Sequence, residues 1–184
     1  LNYNMTENYI EPMKLPQYYQ ADDRWGAKRY GLSNMKLTGC VPTALAMAIS
    51  GLKEDVNPVQ VADFLYSMTM ELNTTFLGTS SLGVQEVVSQ WGLNYKVIDS
   101  KEELEKTLKN GTLVYGAVGH GIFVNGYSTH AVLLTGYENG KTKAFDPDNM
   151  AKTNKWYNID DIWKERSLAP EDNMTGGAFI AIYK

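Results

Sequence analysis

Cysteine is nearly absent from this 184-residue sequence, which contains a single one, Cys40. One cysteine excludes an internal disulfide and any zinc site built from several cysteines. Histidine is scarce as well, because the sequence has two, His120 and His130. Few pairings of a catalytic nucleophile with a base are therefore available, and we expect neither a metal nor a cofactor.

Excess positive charge and long hydrophobic runs are also missing. The formal net charge is −4 and the isoelectric point is about 5.2, which argues against nucleic acid or an anionic membrane as the main partner. No stretch approaches the roughly 18 consecutive apolar residues of a membrane span. With 43% hydrophobic and 21% charged residues, the composition is that of an ordinary globular protein. We expect one monomeric domain over residues 1–184, with residues 1–14 as an N-terminal arm.

The most informative stretch surrounds Cys40, where a loop runs into a predicted helix. Pro42 falls in the first turn, which tolerates a missing N–H, and apolar residues follow at close to helical spacing: Val41, Leu45, Ile49 and Leu52. The free N–H groups and positive dipole at a helix N-terminus favour a thiolate, as a nucleophile requires. The alternative is an ordinary buried cysteine, which packs like a small hydrophobic residue.

The order of predicted elements indicates an α+β fold, because helices come first and strands later. After the Cys40 helix, which ends near Leu52, three helices are predicted, at 58–68, 81–92 and 100–110. Strands are predicted at 95–98, 112–118, 130–137, 142–145 and 178–183, with a short helical segment near 160–165. Loops are predicted at 15–26, 70–79 and 119–127, and the last two are the expected places for substrate contacts or lid motion.

A thiol nucleophile needs a base and a group that orients the base. His130 begins an apolar strand that would hold its ring, whereas His120 lies between two glycines in a loop. The midpoint between His130 and Asp146 is position 138, at the turn Glu138-Asn139-Gly140, so a hairpin would bring the two together. The alternatives are a buried structural histidine and an aspartate that starts the Asp-Pro-Asp turn.

An oxyanion also needs hydrogen-bond donors. The backbone N–H of Cys40 is one candidate, and the side-chain amide of Gln17 or Gln20 is another, although either glutamine could be an ordinary polar loop residue. Aromatic residues beside Gln20, namely Tyr18, Tyr19 and Trp25, could line a cleft or pack in the core.

These motifs, taken in order, resemble one family. The sequence resembles the papain-like cysteine peptidases related to the bacteriocin-processing, double-glycine peptidases, and more closely their stand-alone secreted bacterial branch. The matching stretches are Gln20-x-Asp22-x-Arg24-Trp25, Gly39-Cys40-x-Pro42-Thr43-Ala44-Leu45-Ala46-Met47, His130 to Tyr137 and Asp146-Pro147. The fold that the resemblance implies is a helical half carrying the cysteine, packed against an antiparallel sheet carrying the histidine and aspartate.

The resemblance also implies a role for each site residue. Cys40 would be the nucleophile, His130 the general base, Asp146 the group that orients it and Gln20 the oxyanion-hole amide. Gln20 lies 20 residues before Cys40, as in the secreted relatives but unlike the exporter-linked members. The sequence contains no transporter segment, so the leader-peptide substrate of the exporters does not follow.

Three functions fit this pattern. The first is a cysteine peptidase that hydrolyses peptide or amide bonds of a peptide or protein through a thioester. The second is an acyl transferase that passes the same thioester to an amine, and the third is a non-catalytic binding or adhesion module on the same scaffold. The resemblance, with a chain that opens on Leu1 rather than methionine, leads us to expect an extracellular or surface-attached protein from which a signal or anchor was removed.

Overall fold

The helices form mainly in the first part of the chain, as the order of the sequence pattern predicts. The computed structural model describes residues 8–68 and 79–184. Its helices are α1 (Met35–Thr38), α2 (Cys40–Leu52), α3 (Pro58–Met68), α4 (Ser81–Gln90), α5 (Lys101–Lys109) and α6 (Ile159–Lys164), followed by a 3-10 turn at Pro170–Asp172.

In the described part of the chain, the main sheet contains seven strands: β1 (Tyr9–Ile10), β4 (Asn94–Ile98), β5 (Leu113–Val118), β6 (His130–Glu138), β7 (Lys141–Phe145), β8 (Lys155–Asn158) and β9 (Phe179–Tyr183). They pair antiparallel in the order β4-β9-β5-β6-β7-β8, with β1 added beside β6. A separate two-stranded ribbon joins β2 (Arg29–Tyr30) to β3 (Ser33–Asn34) just before α1.

Both faces of the central strands are buried. Every residue of β5 is buried, and alternate residues contribute to two different cores. Leu113 and Tyr115 join the core that contains α2, α3 and α4, whereas Val114 and Val118 join the core that contains α5 and α6. The helix carrying Cys40 therefore packs on the sheet, and the α+β prediction is confirmed.

Side-chain caps explain where several helices begin. Ser80 accepts hydrogen bonds from the first turn of α4, and Ser100 accepts one from Glu103 N in α5. At the start of α3, Asn57 and Gln60 exchange hydrogen bonds in both directions, as in a capping box. The helix starts that the sequence predicts are confirmed at these positions.

Some details differ from the sequence-based prediction. The predicted arm at 1–14 contains a short strand, because Tyr9 and Ile10 pair with the end of β6. Strand β8 includes Trp156 and Tyr157, where no strand was predicted before the short helix near 160–165. Of the predicted loop at 70–79, residues 70–78 lie outside the described part of the chain. None of the described helices is long and apolar enough to cross a membrane.

Candidate active site

Cys40 is the first residue of α2, at the junction with the short helix α1. Gly39 is the N-cap residue, and its N–H donates to the carbonyl oxygen of Met35. A Cβ at position 39 would lie 2.5 Å from that oxygen and 2.9 Å from Met35 Cα, so only glycine allows this close approach. Cys40 is partly exposed rather than sealed in the core. The tight junction thus presents the sulfur at a helix N-terminus that solvent can reach.

His130 and Asp146 are directly hydrogen-bonded. The Nε2 atom of His130 lies 2.6 Å from Oδ1 of Asp146. The side chain of Asp146 is fully buried and that of His130 is 11% exposed. Because Nε2 faces the carboxylate, Nδ1 is the ring nitrogen that remains for another partner.

The hairpin brings these residues together in a register that differs from the expected one. Leu133 pairs with Phe145, and the ladder is irregular between Thr135 and Glu138. Continuing this register, Asp146 falls opposite Val132 rather than opposite His130. A shift of two residues keeps both side chains on the same face of the sheet, so they meet diagonally.

Backbone groups hold the Asp146 carboxylate in place. Its Oδ1 also accepts hydrogen bonds from the N–H groups of Asp148, at 2.8 Å, and Asn149, at 3.3 Å. Its own N–H donates to Thr153 Oγ1 at 2.7 Å. Among the described residues, Oδ2 has no hydrogen-bond partner. The turn after β7 therefore fixes the oxygen that faces the imidazole.

The electrostatics of His130 connect it to Cys40 as well as to Asp146. Burial by itself lowers the pKa of His130, but the hydrogen bond to Asp146 and the hydrogen bond and negative charge of Cys40 outweigh it. Together they raise the pKa of His130 from 6.5 to about 10. The site therefore favours the protonated form of His130.

Gln20 is buried beside the same site, although it lies in a loop. Its N–H donates to the carbonyl oxygen of Pro147 at 2.8 Å, which ties the loop to the residue after Asp146. Its side-chain Nε2 donates to the carbonyl oxygen of Lys36 at 3.0 Å. Among the described residues Oε1 has no partner, so Nε2 is the end of the amide that the protein orients.

These residues surround one cavity of about 500 Å³. Cys40, His130 and Gln20 all line it, and Asp146 lies behind His130. The predicted loop at 119–127 contributes to the wall, as does the start of α1. The remaining lining residues are Lys36, Leu37, Thr38, Val41, Thr79, Tyr115, Ala117, Phe123, Val124, Asn125, Ser128, Thr129, Ala131, Asp148, Asn149, Lys152 and Asp172.

The other sequence candidates lie outside this cavity. His120 is exposed, and its Nδ1 lies 3.0 Å from the carbonyl oxygen of Gly126. Gln17 is also exposed and accepts a hydrogen bond from the Tyr19 hydroxyl. Tyr18 packs edge-on against Trp25 at 5.7 Å between ring centroids, so these two rings pack with the core rather than line the cavity.

Two cavity residues were not anticipated from the sequence. Asp172 lies in the Pro170–Asp172 turn, far along the chain from the other site residues, and Tyr115 looks like an ordinary residue of a buried strand. Neither stands in a motif, so periodicity and spacing carry no signal for them. Their position depends on how β5 and the segment after α6 fold back toward Cys40.

Comparison with known proteins identifies the family of this chain. The profile of the Peptidase_C39 like family matches residues 13–175. Among curated proteins, none matches the chain significantly.

Several solved structures share the fold. A candidate C39-like peptidase from Bacillus anthracis is 16% identical, with a TM-score of 0.62, over 95% of this chain and 98% of the other. A double-glycine protease from an AMS/PCAT transporter, solved with its leader peptide, is 18% identical, with a TM-score of 0.54, over 94% and 91%. The peptidase domain of Streptococcus ComA, a transporter in a quorum-sensing pathway, is 18% identical, with a TM-score of 0.55, over 80% and 90%. These likenesses confirm the predicted papain-like fold.

Proposed function

Because the chain belongs to the Peptidase_C39 like family, we propose that it is a cysteine peptidase that hydrolyses peptide bonds at Cys40. The observation that carries the proposal is the 2.6 Å contact between His130 Nε2 and Asp146 Oδ1. With Nε2 engaged, Nδ1 is left to exchange a proton with the sulfur. A structural likeness to a protease solved with its leader peptide supports a peptide as the substrate class.

In the first half of the proposed reaction, the Cys40 thiolate attacks the carbonyl carbon of the peptide bond. A C–S bond forms, and the carbonyl oxygen becomes an oxyanion. The N–H of Cys40 is free of any acceptor within its own helix, and Gln20 Nε2 has a second hydrogen beyond the one given to Lys36 O. These two donors stabilise the oxyanion. His130 then gives its proton to the leaving amine as the C–N bond breaks, which leaves a thioester.

In the second half, a water molecule attacks the thioester carbonyl and His130 accepts the proton. The C–S bond breaks, and the acid product leaves while the thiolate and imidazolium form again. Asp146 keeps the imidazole oriented throughout, because backbone N–H groups hold its Oδ1. If an amine reached the thioester before water, the same site would act as an acyl transferase.

The proposal is tested by combining peptide cleavage with labelling of the thiol. Wild-type protein should cleave members of a peptide library, and Cys40→Ala should cleave none. Iodoacetamide should alkylate the native protein rapidly at mildly acidic pH, and His130→Ala should lose that rapid phase. His120→Ala is the matched control, because this exposed histidine bonds only to its own loop; it should behave like wild type.

The other outcomes separate the alternatives. Products joined to an added amine, in place of hydrolysed products, would point to acyl transfer. Labelling at the rate of a model thiol, together with no cleavage of any peptide, would contradict the proposal and favour a binding module.

A further inference from the structure

Asp172 is a buried carboxylate on the cavity wall that the proposed reaction does not use. Asp172 is 8% exposed, and it lines the same cavity as Cys40 and His130. Carboxylates are seldom buried without a partner of opposite charge. The contacts of this side chain therefore need an explanation.

Its contacts in the protein are hydroxyl groups. The Ser167 hydroxyl donates to Asp172 Oδ2 at 2.5 Å, and the Thr129 hydroxyl also acts on the carboxylate. Among the described residues Asp172 forms no ion pair. Burial raises the pKa of Asp172, while the bonds from Ser167 and Thr129 oppose that rise. The carboxylate is thus held in place by hydroxyl groups but has no cation beside it.

The position of Asp172 relative to the chemistry is fixed by the sheet. Thr129 is the residue directly before His130, and Ser167 N donates to the carbonyl oxygen of Ala117 in β5 at 2.8 Å. Burial is the largest cause of the raised pKa of Tyr115, and the charges of Cys40 and Asp172 raise it further. Tyr115 also lines the cavity that Cys40 and Asp172 line.

The cationic side chains of the cavity belong to other segments. Lys36 lies in α1, where its carbonyl oxygen accepts from Gln20, and Lys152 lies in the turn that holds Asp146. Among the described residues neither forms an ion pair with Asp172, and His130, the third group of the cavity that carries a positive charge, pairs with Asp146 instead. A positive group brought in by a substrate would consequently meet, in the same cavity as Cys40, a buried carboxylate that forms no ion pair among the described residues.

We propose that Asp172 determines specificity, by accepting a lysine or arginine side chain of the substrate next to the scissile bond. The inference rests on the peptidase function proposed above. A bound cation would meet an oriented, partly desolvated carboxylate, where a charge-assisted hydrogen bond is stronger than at the surface. A neutral side chain of the same length would leave that carboxylate buried and unpaired.

The test uses internally quenched peptides in matched pairs, with lysine or norleucine at one of several positions on either side of the scissile bond. At one position the wild-type protein should cleave the lysine peptide with a kcat/KM about tenfold or more above its norleucine partner. In Asp172→Asn that ratio should fall to near one. Glu171→Gln removes the same charge one residue away, outside the cavity lining, and should keep the preference.

The rate at which Cys40 is alkylated distinguishes a loss of specificity from a folding defect in Asp172→Asn. Asparagine keeps an oxygen that can accept from Ser167, and iodoacetamide should alkylate Cys40 in Asp172→Asn as fast as in wild type. A ratio near one at every position of the wild-type protein, or a lysine preference that survives in Asp172→Asn, would overturn the inference and leave the peptidase function standing. No cleavage of either peptide type would contradict both.

Discussion

Gln20 shows how a loop residue can be held as rigidly as a residue of the sheet. Its backbone N–H is bonded to Pro147 O, directly after the aspartate that orients His130. Its amide nitrogen is bonded to Lys36 O in the turn of helix before Cys40. The residue therefore links the sheet side of the site to the helix side, and one N–H of the amide remains for the substrate.

The oxyanion role proposed for Gln20 predicts a specific kinetic loss. In Gln20→Ala, kcat for peptide cleavage should fall by about 10²-fold, because a donor to the developing oxyanion is removed. KM should change little, since that charge is absent from the bound substrate. Steady-state kinetics on one good peptide substrate measure both values.

Gln17→Ala is the matched control, since this glutamine is exposed and bonds to Tyr19. It should retain the wild-type kcat. Alkylation of Cys40 by iodoacetamide, which forms no oxyanion, should proceed at the same rate in all three proteins. Equal kcat values in Gln20→Ala and wild type would contradict the role.

The residues of the site differ in how far sequence alone could identify them. Cys40 follows a glycine at the start of a strong helix, and His130 begins an apolar strand, so each carries a local signal. Local sequence patterns leave Gln17 and Gln20 open, and the family resemblance favours Gln20. In the structure Gln20 is buried and Gln17 is exposed. Asp172 has no local signal, because only tertiary folding brings the 170–172 turn to the cavity.

Among the elements, the junction of α1 with α2 does most to position the sulfur. The two helices are separated by Gly39 alone, and the bond from Gly39 N to Met35 O closes the end of α1. Since φ of Gly39 is −92°, the requirement for glycine is one of space rather than of backbone conformation. Any side chain here would push α1 and α2 apart.

This crowding makes Gly39→Ala a test of the junction. The added methyl group would lie 2.5 Å from the Met35 carbonyl oxygen, so we expect a loss of about 1–3 kcal/mol in the free energy of unfolding. Alkylation of Cys40 should also slow, because the sulfur moves with the start of α2. Urea denaturation and iodoacetamide kinetics provide the two measurements.

Gly119→Ala serves as the control for that variant, because the nearest atom to its added Cβ is Glu165 O at 3.8 Å. It should be close to wild type in both measurements. If the two variants were equally stable, backbone crowding at position 39 would not be limiting.

The sequence predicts well those elements that are long enough to show a hydrophobic period or that begin with a capping residue. Helix α5 begins at Lys101, directly after the side-chain cap of Ser100, and ends at Lys109, one residue before the predicted end. The two-residue strands β1, β2 and β3 are too short to show a period, and their pairing partners decide them. The β6–β7 hairpin was predicted, but its turn lies further along the chain than expected, since Glu138 pairs with Lys141. The irregularity between Thr135 and Glu138 recovers one residue of this offset, and Asp146 ends two residues from its expected partner.

At the scale of the whole molecule, the site depends on two layers that come from different parts of the chain. Cys40 belongs to the helical layer, whereas His130 begins β6 of the sheet and Asp146 directly follows β7. Packing of α2 on the sheet brings them together. The raised pKa of His130 therefore requires that both layers are folded and packed. The same pKa shift must therefore appear in the pH dependence of stability.

The sign of that dependence follows from the raised pKa of His130. A group whose pKa is raised on folding stabilises the folded state fully below its unfolded pKa, here 6.5, and this contribution is lost as pH rises to about 10. Asp146→Asn keeps the shape of the side chain but removes the charge that favours the imidazolium. The wild type should exceed this variant by about 2 kcal/mol in free energy of unfolding below pH 6.5, and the difference should shrink between pH 6.5 and 10.

Urea denaturation below, within and above this pH interval measures the difference. Asp148→Asn, which removes the same charge from an exposed side chain two residues along, should show no comparable change in its difference from wild type. A gap between wild type and Asp146→Asn that stays constant or widens as pH rises would contradict a His130 cation held by Asp146, because the stabilisation would then not depend on the proton that His130 loses.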